Sequence, residues 1–318
     1  MTVLVTGGLG FVGINLVRYL ATSFPDRRVI AADLNPPDNQ ARNFLKCLDN
    51  VSFSLLDVTD RGQCRTVVLE GRRGDIVHAA ALTPPPLSSD WQRLRTFDVN
   101  AGGTLNILEA AVEASIGRVI LLSSSGVYAA KQSANPLLED AALDLSNTYA
   151  ASKRSAEVAA EFYGRSGAVM TVALRLASVY GPMERAGPTS QAINLISQLV
   201  AARRPVAISG ADISRDWIHA DDVGAAVDIL LKADQLQHMV YNLGSGIATS
   251  AGLLAELVNS QRLSATTMPG GVTPEISLQA DDGRAAICFA RLEADTGFRP
   301  RVDLAEGIAS LITEIESR

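Results

Sequence analysis

Cysteine is scarce: Cys47, Cys64 and Cys288 stand far apart in a chain of 318 residues. That number and spacing suit neither a disulfide framework nor a zinc site. Histidine is equally rare, and His78, His219 and His238 form no cluster that would cage a metal. No run approaches the ~20 apolar residues that a membrane span needs. The first apolar segment has no basic stretch before it and is interrupted by Gly7, Gly8, Gly10 and Gly13, unlike a secretory leader. Basic excess is also missing. With 28 Lys and Arg against 34 Asp and Glu, the net charge of −6 points to neither a nucleic-acid nor a membrane partner. Reduced thiols and a cytoplasmic location are the expectation.

What is present is apolar: 47% hydrophobic residues against 19% charged ones, a balance that suits a folded core rather than disorder. Short runs at 3–5, 29–32, 51–55, 76–79, 119–122 and 172–176 read as buried strands. Helical stretches at 11–22, 99–114 and 148–163 lie between them. Continuous rather than alternating hydrophobicity in the strands predicts a parallel sheet covered on both faces, an α/β doubly wound fold. The rhythm changes after Gly181, where Pro182, Gly187 and Pro188 open a loop. A helix at 191–202, a strand at 206–208, a helix at 220–233, a strand at 240–243 and a helix at 250–260 are expected next. We expect a nucleotide-binding domain over 1–180 and a smaller C-terminal substrate-binding lobe over 181–318. Segments at about 215–250 should return to the first domain.

Thr6-Gly7-Gly8-Leu9-Gly10-Phe11-Val12-Gly13 follows the first strand and opens the first helix. Gly7 permits a tight turn, Gly10 a close approach to a pyrophosphate, and Gly13 close packing of helix on strand, as in a Rossmann unit. The helix N-terminus at Phe11 and Val12 offers unpaired N–H groups to phosphates. Asp33 ends the second strand ~20 residues on, where a carboxylate takes ribose hydroxyls. Its charge would repel a 2′-phosphate, so the expected cofactor is NAD rather than NADP. Asp57 and Val58 end the third strand, placed to meet an adenine edge or to form an ordinary polar turn.

Tyr149 and Lys153 stand four apart and share one helix face. An ammonium nearby favours ionised tyrosine, which lowers the phenol pKa from ~10 and fits it for acid–base work. Ser123, Ser124 and Ser125 end the strand at 119–122, and the carboxyl ends of such strands form the ligand crevice. A hydroxyl there can hold a substrate oxygen against the tyrosine. Serines after a strand also serve as caps and turn formers.

Taken together, the motifs resemble the extended short-chain dehydrogenase/reductase family, the group of NAD-dependent sugar epimerases and dehydratases. Matching stretches are Thr6–Gly13, Asp57-Val58, His78-Ala79-Ala80, Val99-Asn100, Gly103–Asn106, Ser123–Tyr128, Tyr149–Lys153, Arg175, Val179–Pro182, Arg215–Val223 and Asn242–Gly244. The resemblance implies Tyr149 as acid and base, Lys153 on the nicotinamide ribose, and Ser124 as third member of a triad. Ser123 or Ser125 could take that place. It also implies Ala79, Ala80 and Asn100 in the cofactor pocket, Asn100 as a structural helper, and His78 either there or as a core residue.

Departures from the family narrow the chemistry. Members that remove water from nucleotide sugars resemble one another in a Thr-Asp-Glu run, where this chain has Ser124-Ser125-Gly126. Without an acid and a base, that 4,6-elimination is not expected. Arg215 matches one arginine used on a substrate diphosphate; the second position holds Asp281, with Arg284 close by. Thr83, ahead of Pro84-Pro85-Pro86, offers a hydroxyl on a stiff loop walling the site, so Thr83, Ser124 and Arg215 are the candidate substrate contacts. Two enzyme readings follow for a carbohydrate-type substrate. One is an epimerase that borrows hydride from the substrate and returns it, the other a dehydrogenase of a free sugar or sugar acid that exports it. A non-catalytic NAD-binding sensor or scaffold is the third reading. The family resemblance further implies a homodimer through the helices at 99–114 and 148–163.

Overall fold

A computed structural model describes residues 2–70, 74–83, 89–129, 136–185, 196, 200, 208–261, 276–277 and 283–317. Strands β1 (Thr2–Thr6), β2 (Arg28–Asp33), β3 (Val51–Leu55), β4 (Asp75–His78), β5 (Arg118–Ser124) and β6 (Met170–Leu176) follow the expected order. With β10 (Val240–Leu243) they build one seven-stranded sheet in the order β10-β6-β5-β4-β1-β2-β3. Every pairing in it is parallel. Alternate side chains explain why both faces are covered. Val3, Val5, Val29 and Ala31 pack with α1 (Phe11–Ser23) and with the helix Ala220–Lys232, which we call α7. Leu4, Ile30, Ala32 and Ile76 face the opposite way, into a core with α3 (Arg61–Glu70), α5 (Gly103–Glu113) and α6 (Thr148–Arg165).

The chain order reverses between β1 and β4, and the crevice outside their carboxyl ends is where ligands sit in such sheets. The glycine loop follows β1, and Ala79 and Ala80 follow β4. Two helices that apolar periodicity did not reveal border this crevice: α2 (Asn39–Leu45) and α4 (Asp90–Phe97). The start of α4 was written in the sequence as a capping box, in which Ser89 caps Gln92 and Gln92 returns the bond. The single helix expected at 99–114 is instead a π-helical turn, Asp98–Gly102, running into α5. The wider turn carries Asn100, whose buried side chain reaches Leu82 and Ser152.

Beyond Tyr180 the pieces are shorter. Strands β7 (Ser178–Tyr180), β9 (Ser214–His219) and β11 (Ala248–Ser250) form a second sheet, and β8 (Ile208–Ser209) pairs with β12 (Ile276–Ser277). Helix α8 (Ala251–Gln261) and α10 (Leu304–Ser317) share a third core with Tyr180, Trp217, Leu254, Val258 and Ile308. Buried Asp216 ties this region together by accepting bonds from Ser245 N (2.7 Å), Gly246 N (3.1 Å) and Ile287 N (3.1 Å). Most of the helix expected at 191–202 and nearly all of the strand at 206–208 lie outside the described residues. Among the described residues no helix is long and apolar enough to cross a membrane.

A buried ion pair joins the sheet to α6. The Arg175 guanidinium on β6 donates to both Glu157 oxygens, at 2.9 and 2.8 Å. Burial alone would raise the Glu157 pKa; the bonds and charge of Arg175, helped by Ser123 and Arg154, bring it below the usual value. Arg175 also donates to the Tyr128 hydroxyl and the Glu139 carbonyl, both at 2.9 Å, and Tyr128 in turn donates to Asn242 Oδ1 on β10. Removing Arg175 leaves the buried Glu157 carboxylate with only the partly exposed Arg154, at 3.0 Å, as its counter-ion. Arg175→Ala should therefore lower unfolding free energy by roughly 3–5 kcal/mol, read from denaturant titration.

Candidate active site

The glycines act as their spacing demands. Gly7 has φ +63°, and a Cβ on it would stand 2.6 Å from Ala80 Cα. A Cβ on Gly13 would meet the Gly7 carbonyl oxygen at 1.9 Å, so only glycine lets α1 start this close to the loop. Gly10 differs. Its side-chain direction meets only the Gly7 oxygen, at 3.3 Å, and it lines a cleft of about 700 Å³. Gly10 caps α1 without a side-chain bond, leaving the first-turn N–H groups to other acceptors. Phe11 and Val12 begin that turn but, like Gly13 and Asn100, are not among the residues that line the cleft.

Asp33, Asp57, Val58, Ala79, Ala80 and Thr83 do line it. Asp33 Oδ2 accepts from Leu9 N at 3.0 Å, which fixes the carboxylate at the cleft before any ligand arrives. Arg27 stacks on Phe24 and Arg28 reaches Ser52, so both cations at the start of β2 are engaged elsewhere. Asp57 is both a polar turn and a cleft residue. It accepts from the Thr59 hydroxyl (2.7 Å) and amide (2.9 Å), and the hydroxyl's bond leads in holding its pKa low. This lining fits a dinucleotide: an open glycine turn at a helix start, an anchored carboxylate, and a small-residue wall at Ala79 and Ala80.

His78 resolves as a core residue. It is buried, bonded to Thr6 at 2.6 Å and Thr104 at 3.1 Å, and burial with the Lys153 charge pushes its pKa down to about 3. Asn100 spends its amide on the chain. It bonds Leu82 N (2.7 Å) and Leu82 O (3.0 Å), and donates to Ser152 Oγ at 2.9 Å. Ser152 in turn donates to the Tyr149 carbonyl at 2.9 Å. Asn100 thus links the strand end before Thr83 to the turn that carries Tyr149.

The serine register is set by strand alternation. Ser123 points into the core and donates to Glu157 at 2.6 Å. Ser124 faces the other way, accepts from Gly126 N at 3.0 Å, and with Thr83 lies beside the Tyr149 phenol. Lys153 is buried, donates to the Leu122 carbonyl at 2.8 Å, and has its Nζ 6.0 Å from the Tyr149 ring centroid. Burial lowers the lysine pKa to about 8, against the pull of Glu157. The expected depression of the tyrosine pKa does not occur in this state. Burial raises it, and the neighbouring Ser124 and Thr83 hydroxyls offset this only in part. The ammonium, 6.0 Å from the ring centroid, does not reverse the sign.

Arg215 lies on β9 with Nη1 3.4 Å from Ser178 Oγ on β7. Arg284 comes beside it in the chain path, its amide donating to Ser214 O at 2.9 Å. Asp281 and Pro84 to Pro86 lie outside the described residues. Sequence reading missed Arg95, 3.7 Å from Asp57, and the Arg185–Asp38 pair, all of them cleft residues. None sits in a motif; only the fold brings them together. Gly13→Ala must displace the Gly7 carbonyl, so NAD affinity measured by calorimetry should fall at least tenfold while α/β circular dichroism is kept.

The family model for "NAD dependent epimerase/dehydratase family" matches residues 3–244. A UDP-glucose 4-epimerase of Mycolicibacterium smegmatis is 29% identical over 320 residues, covering 98% of this chain and 97% of that protein. A dTDP-glucose 4,6-dehydratase of Actinoplanes sp. is also 29% identical, with coverage of 98% and 97%. Among solved structures, the UDP-glucose 4-epimerase of Thermus thermophilus in complex with NAD superimposes with a TM-score of 0.83 at 25% identity, covering 99% of each chain. The glycine cleft and the cluster of Tyr149, Lys153 and Ser124 thus stand in a chain that belongs to the NAD-dependent epimerase/dehydratase family, with NAD as its cofactor.

Proposed function

We propose that this enzyme epimerises a sugar nucleotide, working on a substrate hydroxyl through Ser124, Tyr149 and Lys153, and that it is not a 4,6-dehydratase. Relatives of both kinds are equally similar, so local chemistry has to decide between them. One observation carries the choice. A Cβ at Gly126 would lie 3.5 Å from Tyr149 Cε1 and 3.1 Å from Ser124 Oγ. A carboxylate on that position would stand beside the phenol; glycine places only a hydrogen there. Elimination needs an acid for the leaving hydroxyl and a base for the neighbouring proton, and Ser125 and Gly126 supply neither.

NAD, when bound, supplies the hydride acceptor. Gly7, Gly10, Asp33, Asp57, Val58, Ala79 and Ala80 would hold it. The resting phenol keeps its proton, the form that protonates a carbonyl oxygen. In the oxidising direction Ser124, Thr83 and the Lys153 charge favour the anion that accepts a proton. Asn100 serves as the helper that steadies both Thr83 and Tyr149. Arg215 on β9 and Arg284, whose amide bonds the neighbouring Ser214 carbonyl, support a nucleoside diphosphate on the substrate. The acid at 281 favours the second reading, a dehydrogenase of a free sugar or sugar acid with the same reacting groups. Retention of both Tyr149 and Lys153 speaks against a non-catalytic sensor. A homodimer is supported by Leu105, Val112, Val158 and Phe162, large apolar residues left exposed on α5 and α6; a one-chain mass in sedimentation would refute it.

Incubation with NAD and a panel of UDP- and dTDP-sugars, free sugars and sugar acids tests the reading. An epimer with no accumulated NADH is the expected outcome, NADH release would establish the dehydrogenase, and a 4-keto-6-deoxy product would overturn the exclusion. On whichever substrate is turned over, Tyr149→Phe should cut kcat by roughly 10²–10⁴-fold.

A further inference from the structure

Two residues from opposite sides of the cleft meet at its edge. Asp38 follows β2, and Arg185 follows β7, yet Arg185 Nη2 donates to Asp38 Oδ2 at 2.5 Å and both line the dinucleotide cleft. Neither side is loose. Asp38 Oδ1 accepts from Ala41 N at 2.8 Å as the N-cap of α2, so its carboxylate is oriented before the arginine arrives. The turn that delivers Arg185 is pinned twice. Buried Asn15, on the helix opened by the glycine loop, donates to Pro182 O at 2.7 Å, and Met183 N donates to Glu314 Oε1 on α10 at 3.1 Å. Both bonds hold the Pro182–Met183 peptide group, and just beyond it Met183 holds φ +65°, a left-handed conformation that a side chain disfavours. Such strain persists where the surroundings over-determine it, and it clusters at ligand clamps.

We propose that Arg185 and Asp38 form a latch over the adenosine side of the dinucleotide cleft, one that must part before NAD leaves. An exposed ion pair adds little to stability and is screened by salt. A latch needs only enough energy to slow release a few-fold, and pre-orientation of the carboxylate by its cap reduces the entropy lost on closing. The latch rests on NAD as cofactor and holds for epimerase and dehydrogenase alike.

The test is release of bound NADH into excess NAD, followed by stopped-flow fluorescence in the absence of sugar. Asp38→Asn keeps the helix cap while removing the charge, and Arg185→Gln keeps polarity and length. Each should speed release about threefold, and the double variant no further, because either change opens the same pair. Added salt should speed the parent protein and leave both variants nearly unaffected. Unchanged release in both variants would overturn the latch. So would slower release in Asp38→Asn with faster release in Arg185→Gln, since that pattern means Arg185 grips the dinucleotide directly. Substrate turnover plays no part in this measurement, so its outcome is separate from that of the sugar panel.

Discussion

The site depends on one buried interaction, the two-pronged pairing of Arg175 with Glu157. Both groups lie out of water, where an unpaired charge would be very costly, so the pair forces its surroundings to be complete. Glu157 sits one helical turn beyond Lys153 and also receives the hydroxyl of Ser123. Arg175 reaches Tyr128 and the Glu139 carbonyl, and through Tyr128 it reaches Asn242 on the edge strand. The helix bearing Tyr149 and Lys153 therefore has one vertical position against the sheet. Apolar packing alone would tolerate small slides of α6; this polar lattice does not.

A second set of contacts fixes what faces the helix. The π-helical turn at Asp98–Gly102 presents Asn100, whose amide grips Leu82 by both backbone groups and touches Ser152. The phenol is thereby approached from two strands, by Ser124 after β5 and by Thr83 after β4. The cofactor cleft reaches as far as Thr83, which makes this threonine the meeting place of the nucleotide side and the reacting side.

Much of this was readable in the sequence. Six strands, the tight glycine turn at Gly7 and close packing at Gly13, and Asp33 at the end of β2 all follow from local pattern, because each is decided by residues adjacent in the chain. Other features were not. The tyrosine pKa moves up rather than down, since burial is a property of the assembled fold and outweighs an ammonium 6.0 Å from the ring. Three consecutive serines look alike in a sequence, and only the pleat of β5 tells Ser123 from Ser124. Helix α4 is polar enough to escape an apolar-period reading, although its capping box was visible. Arg185 and Asp38 are 147 positions apart, a separation no local rule bridges.

The alternation at the end of β5 has a wider consequence. Ser123 belongs to the lattice beneath the helix, while Ser124 and the 125–126 turn face the Tyr149 ring. Framework and reaction are thus written on opposite sides of a single strand. A lineage can replace residues at 125 and 126, beside the Tyr149 ring, without disturbing what keeps the protein folded. That separation offers a physical reason why chains so alike in outline divide between isomerising a sugar and dehydrating it. It also makes the length of β5, rather than the identity of any one serine, the feature that cannot drift: a single inserted residue would exchange the two sides.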